Sequence, residues 1–495
     1  MSGGTPSTSE PSYWGDEINW ISPSDLTGYR SKFISKGAKS ITAAGLKNSS
    51  ARLMPAGSVH FSSRAPIGYT VISAQSLCTN QGFKSVVPAD GVFNEYLFHY
   101  LKFIRQEANA RATGTTFKEL SGSAFAALPF PLAPLAEQRR IVEKVEELFS
   151  ELDEGVANLK QARAQLAVYR QALLKHAFEG HLTADWRTKH AAELESADQL
   201  LDRIRAEMEE RYQKQLKEWE KAMEKWEAGD RKDSKPSKPR TPPLAELPSK
   251  EELSQLPVLP TGWNWMRLGS CNVDVFDGPF GSHLKTSDYV GSGIRVVRLE
   301  NIGVLKFIEE KESFITEAKY KTLSEHTVVP GDIVFSSFIT ERTRVAMVPP
   351  SIDKAVNKAD CFCVRCHGTV LMNRYATVLL STRSAFKQLE AAVHGVGRPR
   401  INTTQLKELF IPVCSPAEQQ AVMNQVDAQF SEIDALEADI DLNLQKAEAL
   451  RQSILKKAFA GELVPQDPAD EPAAALLARI RAEREAQPVN RRTRR

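Results

Sequence analysis

No stretch of this chain approaches the ~18 consecutive apolar residues that a membrane-spanning helix needs. The opening Met1-Ser2-Gly3-Gly4-Thr5-Pro6-Ser7 lacks the basic and apolar regions of a secretory signal, so a cytoplasmic protein without a membrane partner is expected. Cysteines are few, six in 495 residues, and in that compartment they are expected to stay reduced, which excludes a disulfide framework. An excess of one charge is missing too. Lys and Arg number 64 against 62 Asp and Glu, a net charge of +2, which argues against indiscriminate coating of polyanions but leaves room for local basic patches. Catalytic motifs are also absent. There is no G-x-x-x-x-G-K-[ST] phosphate loop, no Asn-Pro-Pro-aromatic motif of the kind amino-methyltransferases use, and no glycine-rich cofactor loop after a strand. Gly395-Val396-Gly397 runs into Arg398-Pro399, which cannot begin a dinucleotide turn and helix. No catalytic residue, metal or cofactor is therefore expected in this chain.

What the chain does contain is a long internal duplication. Pro131-Leu132-Ala133-Pro134-Leu135-Ala136-Glu137-Gln138 returns 281 positions later as Pro412-Val413-Cys414-Ser415-Pro416-Ala417-Glu418-Gln419. Phe149-Ser150-Glu151-Leu152-Asp153 returns as Phe430-Ser431-Glu432-Ile433-Asp434, and Leu174 to Leu182 as Leu455 to Leu463, at the same offset. Three blocks in one register mark a rigid element of fixed length, and a period near 280 describes a pair of domains rather than a solenoid. A chain of this length suggests roughly three or four domains.

The repeated element reads as a helix. Val145, Leu148, Leu152, Gly155, Leu159, Ala162, Leu166, Tyr169 and Leu173 alternate by threes and fours over about four heptads. In the second copy Val426, Ile433, Leu436, Ile440, Ala447, Leu450 and Ile454 fall on the matching seam, interrupted by Asn443. Ser415-Pro416-Ala417-Glu418 reads as an N-cap serine, a first-turn proline and a capping-box glutamate, whereas the first copy has Pro134 in place of the serine. Gly180 and Gly461 sit where a C′ glycine ends a helix, after Lys175, His176, Lys456 and Lys457. At ~40 residues each helix is about 60 Å long. Two such helices, each following a globular segment, pair most simply with each other and antiparallel, the alternative being that each packs on its own domain. A shorter similarity, Leu200 to Glu207 with Leu476 to Glu483 at an offset of 276, predicts a second helix folding back after each long one.

Between the copies, Tyr212, Leu216, Trp219, Met223 and Trp226 form a stripe at helical spacing that reads as packing. Residues 230–257, rich in Lys, Ser and Pro, read as a linker. Residues 491–495 read as a basic tail, for which weak phosphate affinity is an expectation. The segments before the helices hold short β-rich runs, such as Ile294 to Leu299 and Asp332 to Ser336, between Gly, Pro and Asn turns. The expected fold class is α+β: two globular α/β heads, separated and joined by two long antiparallel coiled-coil helices with an internal pseudo-two-fold. The heads barely resemble each other while the helices do, so two different things are read at a fixed separation.

Several motifs resemble the specificity subunit of a type I restriction–modification enzyme. In the first head they are Gly3-Gly4-Thr5-Pro6-Ser7, Tyr13-Trp14-Gly15, Ile18-Asn19-Trp20-Ile21, Asp25-Leu26, Ser62 to Tyr69, Thr79 to Lys84 and Gly114-Thr115-Thr116-Phe117. In the second they are Gly262-Trp263, Gly278-Pro279-Phe280-Gly281-Ser282, Leu284-Lys285, Asp288-Tyr289, Gly331 to Val334 and Ile401-Asn402. The Pro-x₅-Glu-Gln entries at 131–138 and 412–419 are a strong mark of that family. The resemblance divides the chain into a first target-recognition domain over 1–130, a first helical spacer with charged helix and Pro-rich linker over 131–257, a second recognition domain over 258–411, a second spacer over 412–484 and the tail over 485–495. The second domain opens with Leu259 to Gly269, and the first lacks that opening strand.

The resemblance implies a non-catalytic subunit that binds an asymmetric, bipartite site on double-stranded DNA. The helices would serve as the ruler between half-sites that lie about one turn, ~34 Å, apart. They would also dock two modification subunits that methylate adenine, and the assembly would recruit restriction subunits that translocate and cut DNA. S-adenosylmethionine, ATP and Mg would then sit on those partners. Base edges favour Arg, Lys, Asn and Gln, and phosphates favour Arg, Lys and backbone amides near glycine. The candidates are Arg52, Arg64, Lys84, Arg111 and Lys118 in the first head and Lys285, Arg342, Arg344, Arg398 and Arg400 in the second. Arg398-Pro399-Arg400 leads for phosphate, followed by Arg342-Thr343-Arg344. Cys361-Phe362-Cys363-Val364-Arg365-Cys366-His367 contains C-x-x-C-H, which matches haem attachment and half a zinc site. Haem needs export and zinc needs a second ligand pair, so packing of small apolar side chains in a strand is the favoured reading. Two other classes stay open. A coiled-coil scaffold with protein-binding heads would show no salt-sensitive DNA binding. An enzyme with its own activity would methylate alone.

Overall fold

The computed structural model describes residues 1–486 apart from 65, 115–117, 230–234, 243–244 and 394–398. The chain divides into two compact units, Met1–Ala162 with Asp439–Arg495, and Arg163–Ala438.

The first unit begins with a head of seven short strands: β1 (Trp14–Ile21), β2 (Phe33–Ile34), β3 (Lys39–Ile41), β4 (Val59–Ser62), β5 (Thr70–Ser73), β6 (Cys78–Thr79) and β7 (Phe83–Val86). They form two sheets, ordered β2-β5-β4-β7 and β3-β1-β6. Helix α1 (Ala43–Lys47) follows β3, while α2 (Asn94–Phe103), α3 (Arg105–Ala110) and α4 (Gly122–Ala126) follow β7. Every residue of β4 is buried, because α2 lays Leu97, Tyr100 and Leu101 over Val59, Phe61 and Ile72. Helix α5 (Leu135–Phe178) then runs for 44 residues.

The second unit continues through α6 (Ala184–Lys189), α7 (Ala197–Ala228) and α8 (Lys250–Leu253) into its head. The strands there are β8 (Asn264–Arg267), β9 (Val273–Phe276), β10 (Tyr289–Val290), β11 (Ile294–Val297), β12 (Phe314–Ile315), β13 (Thr327–Val328), β14 (Ile333–Ser336), β15 (Val345–Met347), β16 (Ala355–Asn357), β17 (Cys361–Cys366) and β18 (Phe410–Val413). Helix α9 (Glu317–Lys321) lies between β12 and β13, and α10 (Asn373–Leu380), α11 (Arg383–Ala392) and α12 (Thr403–Lys407) follow β17. The sheets are β15-β14-β17-β9, β10-β12-β11-β16-β13 and β18-β8. Helices α13 (Pro416–Ala460, 45 residues) and α14 (Ala473–Ala486) end the described chain.

The two heads, unlike in sequence, have the same wiring. In the first, β4 is flanked antiparallel by β5 and β7, and in the second β14 is flanked antiparallel by β15 and β17. β1 pairs parallel with β6 and antiparallel with β3, as β11 does with β16 and β12. A glycine of positive φ precedes the central strand in each, Gly57 and Gly331. The second head has an addition: β8 pairs with β18 and closes the head onto the start of α13. In the first head residues 129–134 form no strand.

Each unit holds a segment of α5 antiparallel to a segment of α13. In the first, Asp153 meets Arg451 and Arg140 meets Asp470, while Ile141, Val142 and Val145 share a core with Ile454, Leu455 and Ala458. In the second, Arg170 meets Asp434 at 2.6 Å and Leu173 shares a core with Val426, Phe430 and Ile433. On α5, Val145 and Leu173 are buried and Leu148, Leu152, Leu159 and Leu166 half-buried. On α13 the expected seam needs correcting. Ile433, Ile440 and Ile454 are buried, but Leu436 is 51% and Leu450 50% exposed, and Asn443 points outward and donates to the Asp439 carbonyl. The threes and fours run in the opposite order, through 437, 444 and 451. The Arg451 guanidinium lies over the Phe149 ring, with its carbon 4.5 Å from the centroid, and pairs with Asp153, so a polar residue covers the seam better there than a leucine.

The helix ends follow from local chemistry. The Ser415 hydroxyl accepts from the Glu418 amide at 3.3 Å. Gly180 and Gly461 take φ of +75° and +76°, and the next amides, of His181 and Glu462, reach back five residues to His176 and Lys457, closing a Schellman turn in both copies. The stripe on α7 is packing: Trp219 donates to the Pro236 carbonyl at 3.1 Å, and Lys238 lies over its ring. Cys361 and Cys363 pack with Val297 and Ile302, whereas Cys366 faces the other core. Burial raises all three thiols, Cys366 to about 12, away from the thiolate that binds metal. His367 is bonded to Asp274 at 2.8 Å. Among the described residues no three His, Cys, Asp or Glu side chains are grouped to hold a metal ion.

Candidate nucleic-acid interface

The glutamine of the repeated Glu-Gln pair fixes each head to its helix. Gln138 is fully buried; its amide nitrogen donates to the carbonyls of Gly91 (3.0 Å) and Ala133 (2.8 Å), and its oxygen accepts from the Phe93 amide (2.8 Å). Gln419 does the same with Val370 (2.8 Å), Cys414 (2.9 Å) and the Met372 amide (2.9 Å). The loop entering α2 or α10 is thereby clamped to the first turn of α5 or α13. Tyr96 and Tyr375 reinforce the clamp by donating to the carbonyls of Pro131 and Pro412, both at 3.0 Å. Asn94 and Asn373 donate to Gly57 and Gly331. Glu418, rather than closing a capping box, accepts from Thr183 and Arg187 in the core of the second unit.

A charged tie sits one turn further along. In the second unit Arg374 meets Asp427 at 2.7 Å. In the first unit the matching residues are two acids, Glu95 and Glu146, and Lys32 bridges them. His99 and Lys32 hold the Glu146 carboxyl at about 2, below its ordinary range. The helices that fold back are also anchored alike. Arg203 grips Glu195 with both ends of its fork and Thr369, as Arg479 grips Glu471 and Asp90.

Beyond the mount, an exposed cross-strand bridge follows the central strand of each head. The Ser63 amide donates to Gly82 (2.7 Å) and its carbonyl accepts from Leu120 (2.9 Å), which sets Arg64 opposite Glu119. The Ser337 amide donates to Asp360 (2.9 Å) and its carbonyl accepts from Ile401 (3.0 Å), which sets Phe338 opposite Arg400. Arg64 pairs with Glu119 at 3.0 Å and Arg400 with Asp360 at 3.0 Å.

This geometry sorts the sequence candidates. Arg64 and Arg400 are brought to equivalent bridges, on opposite strands of them. Lys84 is buried and tied to Glu119 at 3.7 Å, so it supports the bridge from beneath instead of offering a free cation. Arg344 turns inward to the Leu299 carbonyl (3.1 Å) and the Ser336 hydroxyl (3.0 Å) and is a brace. Arg111 is bound to Glu107 and the Ala127 carbonyl, holding α3 to α4. Arg52, Lys118, Lys285 and Arg342 are exposed. Arg398 lies outside the described residues.

A family profile described as "Type I restriction modification DNA specificity domain" matches residues 1–161. The MjaIX specificity subunit of Methanocaldococcus jannaschii is 37% identical over 178 residues, 36% of this chain and 40% of that protein. The EcoBI specificity subunit of Escherichia coli is 25% identical over 428 residues, 84% of this chain and 77% of that one. Residues 1–161 thus match that specificity domain, and the chain as a whole is similar to type I restriction–modification specificity subunits. A solved chain from work on complex assembly and conformational transition of the type I R-M system has the same fold, with a TM-score of 0.60 at 18% identity over 94% of this chain and 95% of that chain. The chain spans less than half of the MjaIX subunit. Among the described residues no helix is long and apolar enough to cross a membrane.

Sequence reasoning missed the partners of the clamp. One signal was available: Asn94-Glu95-Tyr96 and Asn373-Arg374-Tyr375 repeat an Asn-x-Tyr at an offset of 279. Two residues are too little to stand out between heads that otherwise differ.

Proposed function

We propose that this chain is the sequence-reading subunit of a type I restriction–modification complex, in which each head reads one half of a bipartite site on double-stranded DNA. The observation that carries this reading is the pairing of one head fold, mounted twice by the same buried clamp, with unlike exposed residues at equivalent positions. A mount that repeats while the exposed bridge changes is what a reader of two different half-sites requires. The subunit itself is non-catalytic and works in the cytoplasm. Two modification subunits dock on it and methylate adenine, restriction subunits join them, and S-adenosylmethionine, ATP and Mg are held by those partners.

The test is a methylation map. The chain is expressed with its modification subunit and host DNA is sequenced for methyladenine. A bipartite motif with a fixed gap, lost when this chain is omitted, is the expected result. No new methylation from an assembled complex would refute the reading and favour a coiled-coil scaffold.

A further inference from the structure

The bridge in each head carries a guanidinium in a setting built for a base edge. In the first head Arg64 stands on one strand with Glu119 opposite; in the second, Arg400 stands on the opposite strand of the equivalent bridge, facing Phe338. The two arginine side chains are 47% and 51% exposed, yet each is held. Arg64 is held through Nη2 to Glu119 Oε2, and Glu119 is held in turn by buried Lys84. Arg400 is held through Nη1 to Asp360, at 3.0 and 3.4 Å to its two oxygens, and its guanidinium lies over the Phe338 ring at 5.3 Å. Asp360 is fixed by its own amide on Asp277 (3.0 Å) and by the Ser337 hydroxyl (3.0 Å).

Each carboxylate engages one η nitrogen, and among the described residues no other hydrogen-bond acceptor takes the rest of the planar fork. A guanidinium immobilised in this way loses little further freedom on binding. The adjacent carboxylate also selects the ligand class. A phosphate brought to either arginine would face a like charge about 3 Å from its partner. A base edge carries no net charge, and the carboxylate can accept from an exocyclic amine next to it. The free fork matches O6 and N7 of guanine.

Building on the reading of this chain as a DNA-specificity subunit, we propose that Arg64 and Arg400 are the base-reading arginines of the two heads, each recognising a guanine in its own half-site and each positioned by its carboxylate, Glu119 or Asp360. The arrangement makes the half-sites independent: a change at one bridge alters one position of one half.

The experiment uses the whole complex. Wild type, Arg64→Ala, Arg64→Lys, Arg400→Ala and Arg400→Lys are each expressed with the modification subunit, and methyladenine motifs are mapped. Discrimination at one guanine of one half-site is expected to fall by roughly ten- to a hundredfold, with the other half unchanged. The lysine variants keep the charge and lose the fork, so they should relax the same position even if an alanine variant fails to fold. An unchanged motif in the lysine variants, or a uniform weakening across both halves such as a phosphate contact gives, would overturn the assignment. A wild-type complex that produces no bipartite motif would overturn the functional reading itself, and this assignment with it.

Discussion

Replacing Gln138 by Ala should loosen the first head and leave the second untouched. The side chain is fully buried and satisfies three backbone groups, the carbonyls of Gly91 and Ala133 and the amide of Phe93. Alanine leaves all three without a partner, and each unsatisfied buried group costs roughly 1–3 kcal/mol. Carbonyls tolerate loss better than amides, and water can enter the space left, so about 3–5 kcal/mol in total is the expected loss. Global unfolding is a poor assay for a chain with two compact units, where one midpoint does not define one free energy. Amide hydrogen exchange is better. The Phe93 amide should exchange at least about a hundredfold faster in Gln138→Ala, at one decade per ~1.4 kcal/mol. The Met372 amide should keep its wild-type rate, and Gln419→Ala should reverse the pattern. Equal protection of Phe93 in the wild type and Gln138→Ala would refute the clamp, and loss of protection at both sites would refute the independence of the two mounts.

Two further outcomes follow from the same physics. His60 is fully buried, with Nδ1 on the Ser85 hydroxyl at 2.9 Å, and burial lowers it to about 4 from 6.5. The unfolded chain therefore binds more protons between those values, so the contribution is intact above pH 6.5 and about 3 kcal/mol is lost as pH falls to 4; His60→Gln should flatten that limb of the first unit's acid unfolding curve, and an unchanged slope would contradict it. Gly155 lies within α5, and a Cβ there would meet no atom within 4 Å, so Gly155→Ala should stabilise the helix by about 0.5–1 kcal/mol, and a lowered melting temperature would show that the position is sterically closed.

The long helices were legible because their signal is periodic and repeated. Heptads, Ser415 at the cap, and Gly180 and Gly461 at the ends each act within a few residues, and the structure places α5 and α13 between those marks. The side of α13 that faces inward was not legible. Leu436 and Leu450 look like seam residues by type, and only the position of Phe149 makes an arginine at 451 the better cover. The shared head fold was hidden for a different reason. Its strands are mostly two to four residues long, too short for a period, and the equivalence of Ser63 with Ser337 is carried by backbone hydrogen bonds that any residue can make. Of the ten candidate cations, residue type marked them all alike. Burial and inward hydrogen bonds, visible only in three dimensions, separate Lys84 and Arg344 from Arg64 and Arg400.

The contrast between mount and bridge has an energetic consequence. Gln138, Gln419, Tyr96 and Tyr375 are buried and joined to backbone groups, so a substitution at any of them leaves a buried polar group unpaired or a cavity behind. Arg64 and Arg400 lie at the surface, where substitutions away from such features change stability by only about 0.5 kcal/mol. The two heads already realise such an exchange: the guanidinium stands on one strand of the bridge in the first and on the other strand in the second, above the same backbone hydrogen bonds at Ser63 and Ser337. The exposed arginine of a bridge can therefore be exchanged without refolding the head or moving it on its helix. The helix sequence is tied to the clamp and the seam, whereas the bridge residues differ between the heads above the same backbone hydrogen bonds.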